Sequence, residues 1–166
     1  MTDPANRHGS AVVTLPNDTD IHVVRVFDAP AKLLFEANTT PELVQQWWGF
    51  DTSVWRVCEI DLRVGGTWRY VIEERDMEVG FHGEFREISP PHRLVHTELY
   101  EGMPDLTDDD AAVITTTFDE VDGVTTMTQV SRFVRKEHRD AAIESGMESG
   151  MQVSYDRMED LVRSAG

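Results

Sequence analysis

Alternating apolar and polar positions along most of the chain predict a sheet protein. A short strand falls within residues 11–18, and residues 21–27 have strand composition, rich in β-branched side chains. Six more strand candidates follow, at 53–62, 67–74, 78–88, 93–100, 111–120 and 124–133. Most of their connections are short and turn-like, so we expect successive strands to pair antiparallel as a meander.

Two short helices are predicted between the second and third strands. Asp28 suits the N-cap of the first helix, with Pro30 close to its first turn. Thr40 and Pro41 begin the second helix, and Gly49 ends it.

The second short helix ends in two adjacent tryptophans. Side chains at adjacent helix positions point about 100° apart, so Trp47 and Trp48 should not face the same way. We expect one ring to anchor the short helices to the core. The other should cover the mouth of a cavity or an exposed patch.

A long helix is predicted to close the chain. From about Glu137 to Val162 the residues suit a single helix of roughly 40 Å. Gly146 and Gly150 interrupt it, each at a cost of about 1 kcal/mol relative to alanine. We expect these glycines to allow close packing on a strand or to leave empty volume. One apolar face has spacings of three and four: Ile143, Met147, Met151, Tyr155, Met158 and Val162.

Pairing residues across three hairpins assigns one inner face to the sheet. A bulge would slip a pairing by one residue and reverse the facing. The pairs are Ile114, Thr116 and Phe118 opposite Ser131, Gln129 and Met127; Phe81, Gly83 and Phe85 opposite Tyr100, Glu98 and His96; and Leu62 and Ile60 opposite Trp68 and Tyr70.

This inner face is aromatic but not purely apolar. His96, Glu98, Thr116 and Gln129 share it, and a buried carboxylate without a partner is expensive. Either these polar groups satisfy one another, or they line a water-filled hollow. Gly83 beside Glu98 should leave a gap the size of a side chain, which favours the hollow.

Composition narrows the function classes. The chain has 31 acidic and 15 basic residues and a net charge of −16. A surface this negative repels phosphate backbones and anionic lipids, so we expect no nucleic-acid partner. No apolar run is long enough for membrane insertion, and the N-terminus lacks an apolar signal core. The single cysteine, Cys58, reads as a core residue and fits a cytoplasmic location.

Four stretches occur in order along the chain: RVFDAPAKLLFEANTTPELVQQWWG, DLRVGGTWRYVI, FHGEFREISPPHRLVHT and SGMESGMQVSYDRMEDL. They resemble the activator of heat-shock-protein-90 ATPase homologue-like family of the START-like (SRPBCC) superfamily, which is Bet v 1-like. The similarity runs from about Thr14 to Leu161. From the residues themselves we expect a flexible tail, 1–9, and one domain, 10–166, because no repeat or linker interrupts it.

The resemblance implies an α+β helix-grip fold. In it, a curved antiparallel sheet wraps around a long C-terminal helix, and a cavity between the two takes an apolar or amphipathic ligand. Family members often carry aromatics where this chain has His96 and Glu98, so a more polar cavity is expected. With the inner face assigned above, the expected ligand-binding residues are Trp48, Trp68, Tyr70, Phe81, Phe85, His96, Glu98, Tyr100, Thr116, Gln129, Met147, Met151 and Tyr155.

Catalytic and metal chemistry have few candidates. His96 and Glu98 share one face of a strand and suit general acid–base work, or else form a satisfied polar pair at the cavity rim. His82 and Glu84 share the outer face but supply only two metal ligands. Asp108–Asp110 lack the spacing of a calcium loop. We therefore expect no metal and no cofactor, and a solvated acidic loop over 101–112.

The expected function is binding of a small apolar or amphipathic molecule, lipid- or polyketide-like, between the sheet and the last helix. Two alternatives stay open. One is a cyclase, dehydratase or hydrolase that uses His96 and Glu98. The other is a chaperone-interacting protein related to the heat-shock-protein-90 ATPase activator. The sequence also allows a homodimer.

Overall fold

Among the described residues the fold is one antiparallel sheet with four α-helices and a short 3-10 helix, Asp108–Asp110. The computed structural model describes residues 7–50 and 52–165. The curved sheet has the strand order β1-β2-β8-β7-β6-β5-β4-β3, and this helix-grip arrangement confirms the predicted fold class. The strands are β1 Val12–Thr14, β2 Asp20–Phe27, β3 Val54–Ile60, β4 Thr67–Glu74, β5 Met77–Ser89, β6 Arg93–Tyr100, β7 Ala112–Val121 and β8 Val124–Arg132.

Two of the three predicted hairpin registers are confirmed. Thr116 pairs with Gln129 across β7 and β8, and their neighbours pair as predicted. Across β5 and β6, Phe85 pairs with His96, before an irregularity that begins after Phe85. The inner face of these four strands therefore carries the residues assigned to it.

The predicted register of the third hairpin is wrong by two residues. Ile60 pairs with Trp68, and Cys58 rather than Ile60 pairs with Tyr70. The connection is longer than a tight turn at the two glycines, because strand β3 ends at Ile60 and Leu62 lies in the loop, 42% exposed. A shift of two residues keeps every side chain on its face, since the strand period is two. Cys58 is half-buried, and burial raises the pKa of its thiol to about 11.

The short helices follow β2 as predicted. They are α1 Ala31–Thr39 and α2 Pro41–Trp47, with Pro41 at the first position of α2. The predicted N-cap Asp28 is wrong, because Pro30 occupies that position and the Asp28 side chain pairs instead with Arg7 at 3.0 Å.

The predicted single C-terminal helix is two helices. The first, α3, covers Lys136–Glu144, and the second, α4, covers Met147–Ala165. Gly146 lies between them with φ +82°, a conformation that glycine adopts without the Cβ penalty other residues incur. Gly150 lies inside α4, where an added Cβ would sit 3.6 Å from the Phe50 ring. Gly146 therefore ends a helix, and close packing does not require Gly150.

Alanine at the two glycines is expected to have opposite effects. Gly146→Ala should lower the free energy of unfolding by about 1 kcal/mol, because alanine is strained at positive φ. Gly150→Ala should raise it by up to about 1 kcal/mol, because alanine favours the helix. Urea unfolding of both variants measures the two effects. Equal losses at both positions would contradict this assignment.

Helix α4 packs its apolar face on the inner face of the sheet. Tyr155, Met158 and Val162 are buried, while Met147 and Met151 are half-buried at the edge of the core. Within residues 7–50 and 52–165, none of the helices combines the length and apolar character of a bilayer crossing.

A buried ion pair crosses from β2 to α4. Arg25 and Glu159 are each 1% exposed, and their side chains meet at 3.2 Å. Arg25 also contacts Asp156 at 3.2 Å, and Glu159 accepts the Asp28 backbone N–H. The pair fixes α4 against the sheet in the middle of the core.

Most of the predicted flexible tail 1–9 lies outside the described residues. Its last three residues contact the domain: Arg7 pairs with Asp28, and the Gly9 backbone N–H donates to Asp156 at 2.9 Å. The division at residue 9 stays a prediction.

Candidate functional site

A small cavity lies between the inner face of the sheet and the short helices. Its volume is about 70 Å³, and no described residue of α4 lines it. The predicted position against the C-terminal helix is therefore wrong, because α1 and α2 supply the helical wall. The lining residues are Asn38, Trp47, Trp48, Trp68, Tyr70, Phe85, Leu94, His96, Glu98, Thr116 and Gln129.

Both tryptophans at the end of α2 reach this cavity. Trp47 is 7% exposed, and its indole N–H donates to the Ala37 carbonyl at 2.8 Å, which anchors α2 to α1. Trp48 is outside the helix, with φ −80° and ψ 141°. The prediction that the two rings face differently assumed that both residues were helical. The extended backbone of Trp48 turns its ring towards the same space.

Aromatic rings continue from Trp48 towards the surface. The Trp48 ring lies 5.3 Å from Tyr70 and 5.5 Å from both Trp55 and Phe81, measured between centroids. Phe81 in turn lies 5.2 Å from Tyr100, which is 40% exposed. A row of rings therefore connects the cavity wall to solvent.

The predicted gap at Gly83 is filled. A Cβ on Gly83 would lie 1.8 Å from the Thr97 carbonyl oxygen and 2.5 Å from the Trp68 indole nitrogen. That nitrogen donates to the same carbonyl at 3.0 Å. Glycine is required here because a side chain would displace the indole, and the indole forms part of the cavity wall.

His96 presents a neutral ring to the cavity. Its Nδ1 lies 3.1 Å from the Thr97 carbonyl oxygen, which can only accept, so Nδ1 holds the proton of the neutral ring. Burial lowers the pKa of His96, opposed by that backbone hydrogen bond. The neutral ring therefore leaves Nε2 as an acceptor.

Glu98 lines the cavity without a compensating group. No described residue donates a hydrogen bond to its carboxylate, and none of the lining residues is lysine or arginine. Burial raises the pKa of Glu98 to about 7. The prediction that His96 and Glu98 form a satisfied polar pair is not met among the described residues, because the imidazole proton goes to Thr97.

Thr116 and Gln129 complete the polar wall. The Gln129 amide accepts from the Tyr155 hydroxyl at 3.3 Å and donates towards the Thr116 hydroxyl at 3.5 Å. Burial, together with the nearby Glu98 charge, raises the pKa of Tyr155. Helix α4 thus reaches the edge of the site through one hydroxyl group.

Eight of the thirteen expected ligand-binding residues line the cavity, and five do not. Those that line it are Trp48, Trp68, Tyr70, Phe85, His96, Glu98, Thr116 and Gln129. Phe81 and Tyr100 belong to the outer part of the ring row, and Tyr155 lies behind Gln129. Met147 and Met151 pack at the edge of the core, because α4 does not border the cavity.

Three lining residues were not expected. Leu94 shares the strand face of His96 and Glu98, so its alternation with them could have identified it. Trp47 was predicted as a possible anchor of the short helices. It anchors α2 to α1 and also lines the cavity. Asn38 follows Leu34 by one helical turn, and its side-chain amide donates to the Leu34 carbonyl. No sequence signal marks Asn38 as a cavity residue.

The outer-face candidates form a different contact. His82 lies between Glu101 at 2.8 Å and Asp108 at 2.7 Å, which ties the acidic loop to β5. Burial lowers the pKa of His82, but the two carboxylates outweigh it and raise the pKa overall. Glu84 is exposed on the same face. The described residues contain no group of three or more acidic, histidine or cysteine side chains placed to hold a metal ion.

The fold is shared with several solved structures. A protein from Rhodobacter sphaeroides is similar with a TM-score of 0.83 and 25% identity, over 93% of this chain and 99% of that one. A Mycobacterium smegmatis protein gives 0.80 and 22%, over 92% and 96%. An HSP90 activator from Plasmodium falciparum gives 0.65 and 20%, over 86% and 95%. At these last two identities the likeness shows the fold alone.

The family comparison is the more specific finding. No curated protein matches this sequence at a significant level. Residues 28–163 match the family model described as Activator of Hsp90 ATPase homolog 1-like protein. That range includes α1, α2, all the cavity residues and most of α4. The chain therefore belongs to the Activator of Hsp90 ATPase homolog 1-like family.

Proposed function

We propose that this protein binds a small amphipathic ligand, lipid- or polyketide-like, in the cavity between the sheet and helices α1 and α2. The observation that carries this proposal is the make-up of the cavity wall. Five of its eleven residues are tryptophan, tyrosine or phenylalanine, and Glu98 and His96 are among a few polar groups that converge on one space. This combination is typical of small-molecule sites.

The cavity volume sets a condition on the ligand. Small-molecule sites usually have about 300–1,000 Å³, whereas this cavity has about 70 Å³. A void of that size costs the fold only about 2 kcal/mol, so it can persist without a ligand. It accepts a small head group, and a longer ligand needs the cavity to widen towards solvent.

Trp48 is the residue whose movement would widen it. The Trp48 ring contacts the neighbouring rings of Tyr70 and Phe81, and its backbone lies outside α2. The ring row from Trp48 through Phe81 to the exposed Tyr100 is the proposed path for the apolar part of a ligand.

Tryptophan fluorescence offers a direct test. Trp47, Trp48 and Trp68 line the cavity and Trp55 contacts Trp48, so all four tryptophans of the chain should report on ligand entry. Titration with 1-octanol, octylamine, octanoate and 2-naphthol should give a saturable change with at least one probe. At 100 times its Kd, that probe should add about 2.7 kcal/mol to the free energy of unfolding.

A matched pair of variants tests the position of binding. Thr116→Leu adds volume in the cavity and should weaken probe binding by at least about tenfold, a loss of roughly 1.4 kcal/mol. Thr115→Leu makes the same change one residue earlier, on the opposite face of β7, and should leave binding unchanged. Absence of saturable binding by all four probes rejects the proposal.

A catalytic function is a second candidate. A carboxyl group with a pKa near 7 and a neutral imidazole in one cavity suit proton transfer at neutral pH. If a probe or its ester is turned over, Glu98→Gln and His96→Ala should each reduce kcat while the unfolding temperature shows that the fold survives. Unchanged kcat in both variants removes this candidate.

The family relationship supports a third candidate, chaperone interaction. It predicts that the purified protein stimulates the ATPase activity of a heat-shock-protein-90 chaperone from the same cell. A dose-dependent rise in phosphate release would support it, and an unchanged rate would exclude it. A cytoplasmic location and a homodimer stay predictions, which cell fractionation and sedimentation can test.

A further inference from the structure

The least expected group in the cavity is a carboxylate without a counter-ion. Glu98 lies among the rings of Trp48, Trp68 and Tyr70, and no described residue donates a hydrogen bond to it. Glu98 is half-buried on the cavity wall, and a partly desolvated carboxylate without a partner is costly, so a retained one calls for a reason.

Three ring N–H donors of the cavity wall are used elsewhere. Trp68 Nε1 and His96 Nδ1 both donate to the Thr97 carbonyl, and Trp47 Nε1 donates to the Ala37 carbonyl. These groups are therefore not available to compensate the Glu98 charge.

No titratable neighbour in the part of the chain that the structure describes gives Glu98 a positive charge. His96 on the same strand and Tyr70 on β4 line the cavity with Glu98, and the Glu98 charge also reaches Tyr155 on α4. Burial lowers the pKa of His96 and raises the pKa of both tyrosines, so His96, Tyr70 and Tyr155 are uncharged at neutral pH. The ligand is then the available source of a compensating charge.

Other ligand charges fit this cavity poorly. A carboxylate ligand would repel Glu98 and the net charge of −16. A purely apolar ligand would exclude water from Glu98 and offer nothing in return. A cation pairs with the carboxylate and is also attracted to the faces of tryptophan and tyrosine rings.

We propose that the cavity takes the protonated amino group of an amphipathic primary amine, with the Glu98 carboxylate as its counter-ion and His96 Nε2 as the acceptor of a second N–H. This inference rests on the proposed function, because it names the ligand class for the same cavity. The small volume suits the head group, and the alkyl chain follows the ring row from Trp48 to Tyr100.

Three probes of one chain length test the charge. At pH 8, octylamine should bind about 10- to 100-fold more tightly than 1-octanol, and octanoate should bind more weakly than either. Glu98→Gln should reduce octylamine affinity by the same factor and leave 1-octanol affinity within about twofold. Retained 1-octanol binding also shows that the variant is folded.

A surface control separates pairing in the cavity from general attraction to an acidic protein. Glu84 is exposed on the outer face of β5, so Glu84→Gln removes one charge without touching the cavity. It should change octylamine affinity by less than about twofold at 0.15 M salt, where surface charges are screened. An equal loss in Glu84→Gln and Glu98→Gln would overturn the inference.

The outcomes distinguish the two proposals. If neither these three probes nor 2-naphthol binds, the proposed binding function fails together with the inference. If only 2-naphthol binds, the cavity binds ligands but the amine assignment is wrong. If 1-octanol binds as tightly as octylamine and Glu98→Gln affects neither, the cavity binds ligands but the amine assignment is wrong. Tighter binding of octanoate would also overturn the amine assignment.

The pH dependence provides an independent readout. Below the pKa of Glu98, near 7, octylamine must displace the carboxyl proton, so its affinity should fall about tenfold per pH unit. The affinity of 1-octanol should not follow this course. A flat octylamine profile between pH 8 and pH 6 would contradict pairing with Glu98.

Discussion

Glu159→Ala is expected to lower the free energy of unfolding by about 3–5 kcal/mol, because it leaves the buried Arg25 guanidinium without its main partner. Arg25 and Glu159 are each 1% exposed and meet at 3.2 Å. The remaining charged partner, Asp156, is 22% exposed in its side chain and also accepts the Gly9 backbone N–H. Urea or thermal unfolding measures the loss.

Two further variants identify the cause of that loss. Glu148→Ala removes a carboxylate from the exposed face of the same helix and should cost less than about 1 kcal/mol. Replacing both partners, Arg25→Met with Glu159→Leu, should recover most of the stability, because apolar side chains of similar size need no counter-ion. A double variant as unstable as Glu159→Ala would contradict this cause, because it keeps the packing volume and leaves no unpaired charge; the loss would then come from the hydrogen bonds that the ion pair makes.

This ion pair could have been predicted from the sequence, and the signal is specific. Arg25 alternates with Ile21, Val23 and Phe27 along β2, which places it on the buried face. Glu159 follows Tyr155 by four residues and precedes Val162 by three, which places it on the buried face of α4. A basic residue at an interior position of one element therefore predicts an acidic partner at an interior position of the element that faces it.

The pairing register of two strands could be predicted where the turn between them was tight. The prediction failed where a longer loop joined the strands. The Val-Asp-Gly turn leaves only one way to pair β7 with β8, with Asp122 and Gly123 both at positive φ. Between β3 and β4, the Asp61 backbone N–H bonds to the Thr67 carbonyl and closes a loop that includes both glycines. Two glycines in sequence do not reveal such a loop length.

Most of the sheet side of the cavity wall followed from strand alternation, and the helical wall did not. The expected sheet residues Trp68, Tyr70, Phe85, His96 and Glu98 all line the cavity. The apolar face of α4 that carries Met147 and Met151 does not line the cavity, because α1 and α2 form its helical wall. Which helix covers which strands is a tertiary property, and helix periodicity gives only the face.

Glu98→Gln is expected to make the protein more stable at pH 8 but not at pH 4.5. The pKa of Glu98 is about 7 in the folded protein, raised by burial from an ordinary 4.5. Between these values the folded state holds a proton that the unfolded state has released. The free energy of unfolding therefore falls as pH rises from about 4.5 to 7 and is level above that.

The size of the effect follows from the pKa difference. At about 1.4 kcal/mol per pH unit, the wild-type protein should lose about 2–3 kcal/mol across this window relative to the glutamine variant. At pH 8 the variant should therefore unfold at a temperature higher by roughly 5–10 °C. Titration of His96 acts in the opposite direction, since its lowered pKa removes stability below about pH 6.5. It is present in both proteins and cancels in the difference.

The deciding quantity is the difference in the free energy of unfolding between Glu98→Gln and the wild-type protein at each pH. Chemical unfolding of wild type and Glu98→Gln at half-unit steps from pH 4.5 to 8 should give a gap that opens with rising pH and then stays constant. Glu84→Gln, at an exposed site on the neighbouring strand, should show no such gap. A Glu98→Gln gap that is the same at every pH would mean that the carboxylate is already compensated in the folded state. The amine inference would then lose its foundation, because the cavity would hold no uncompensated charge for a ligand to meet.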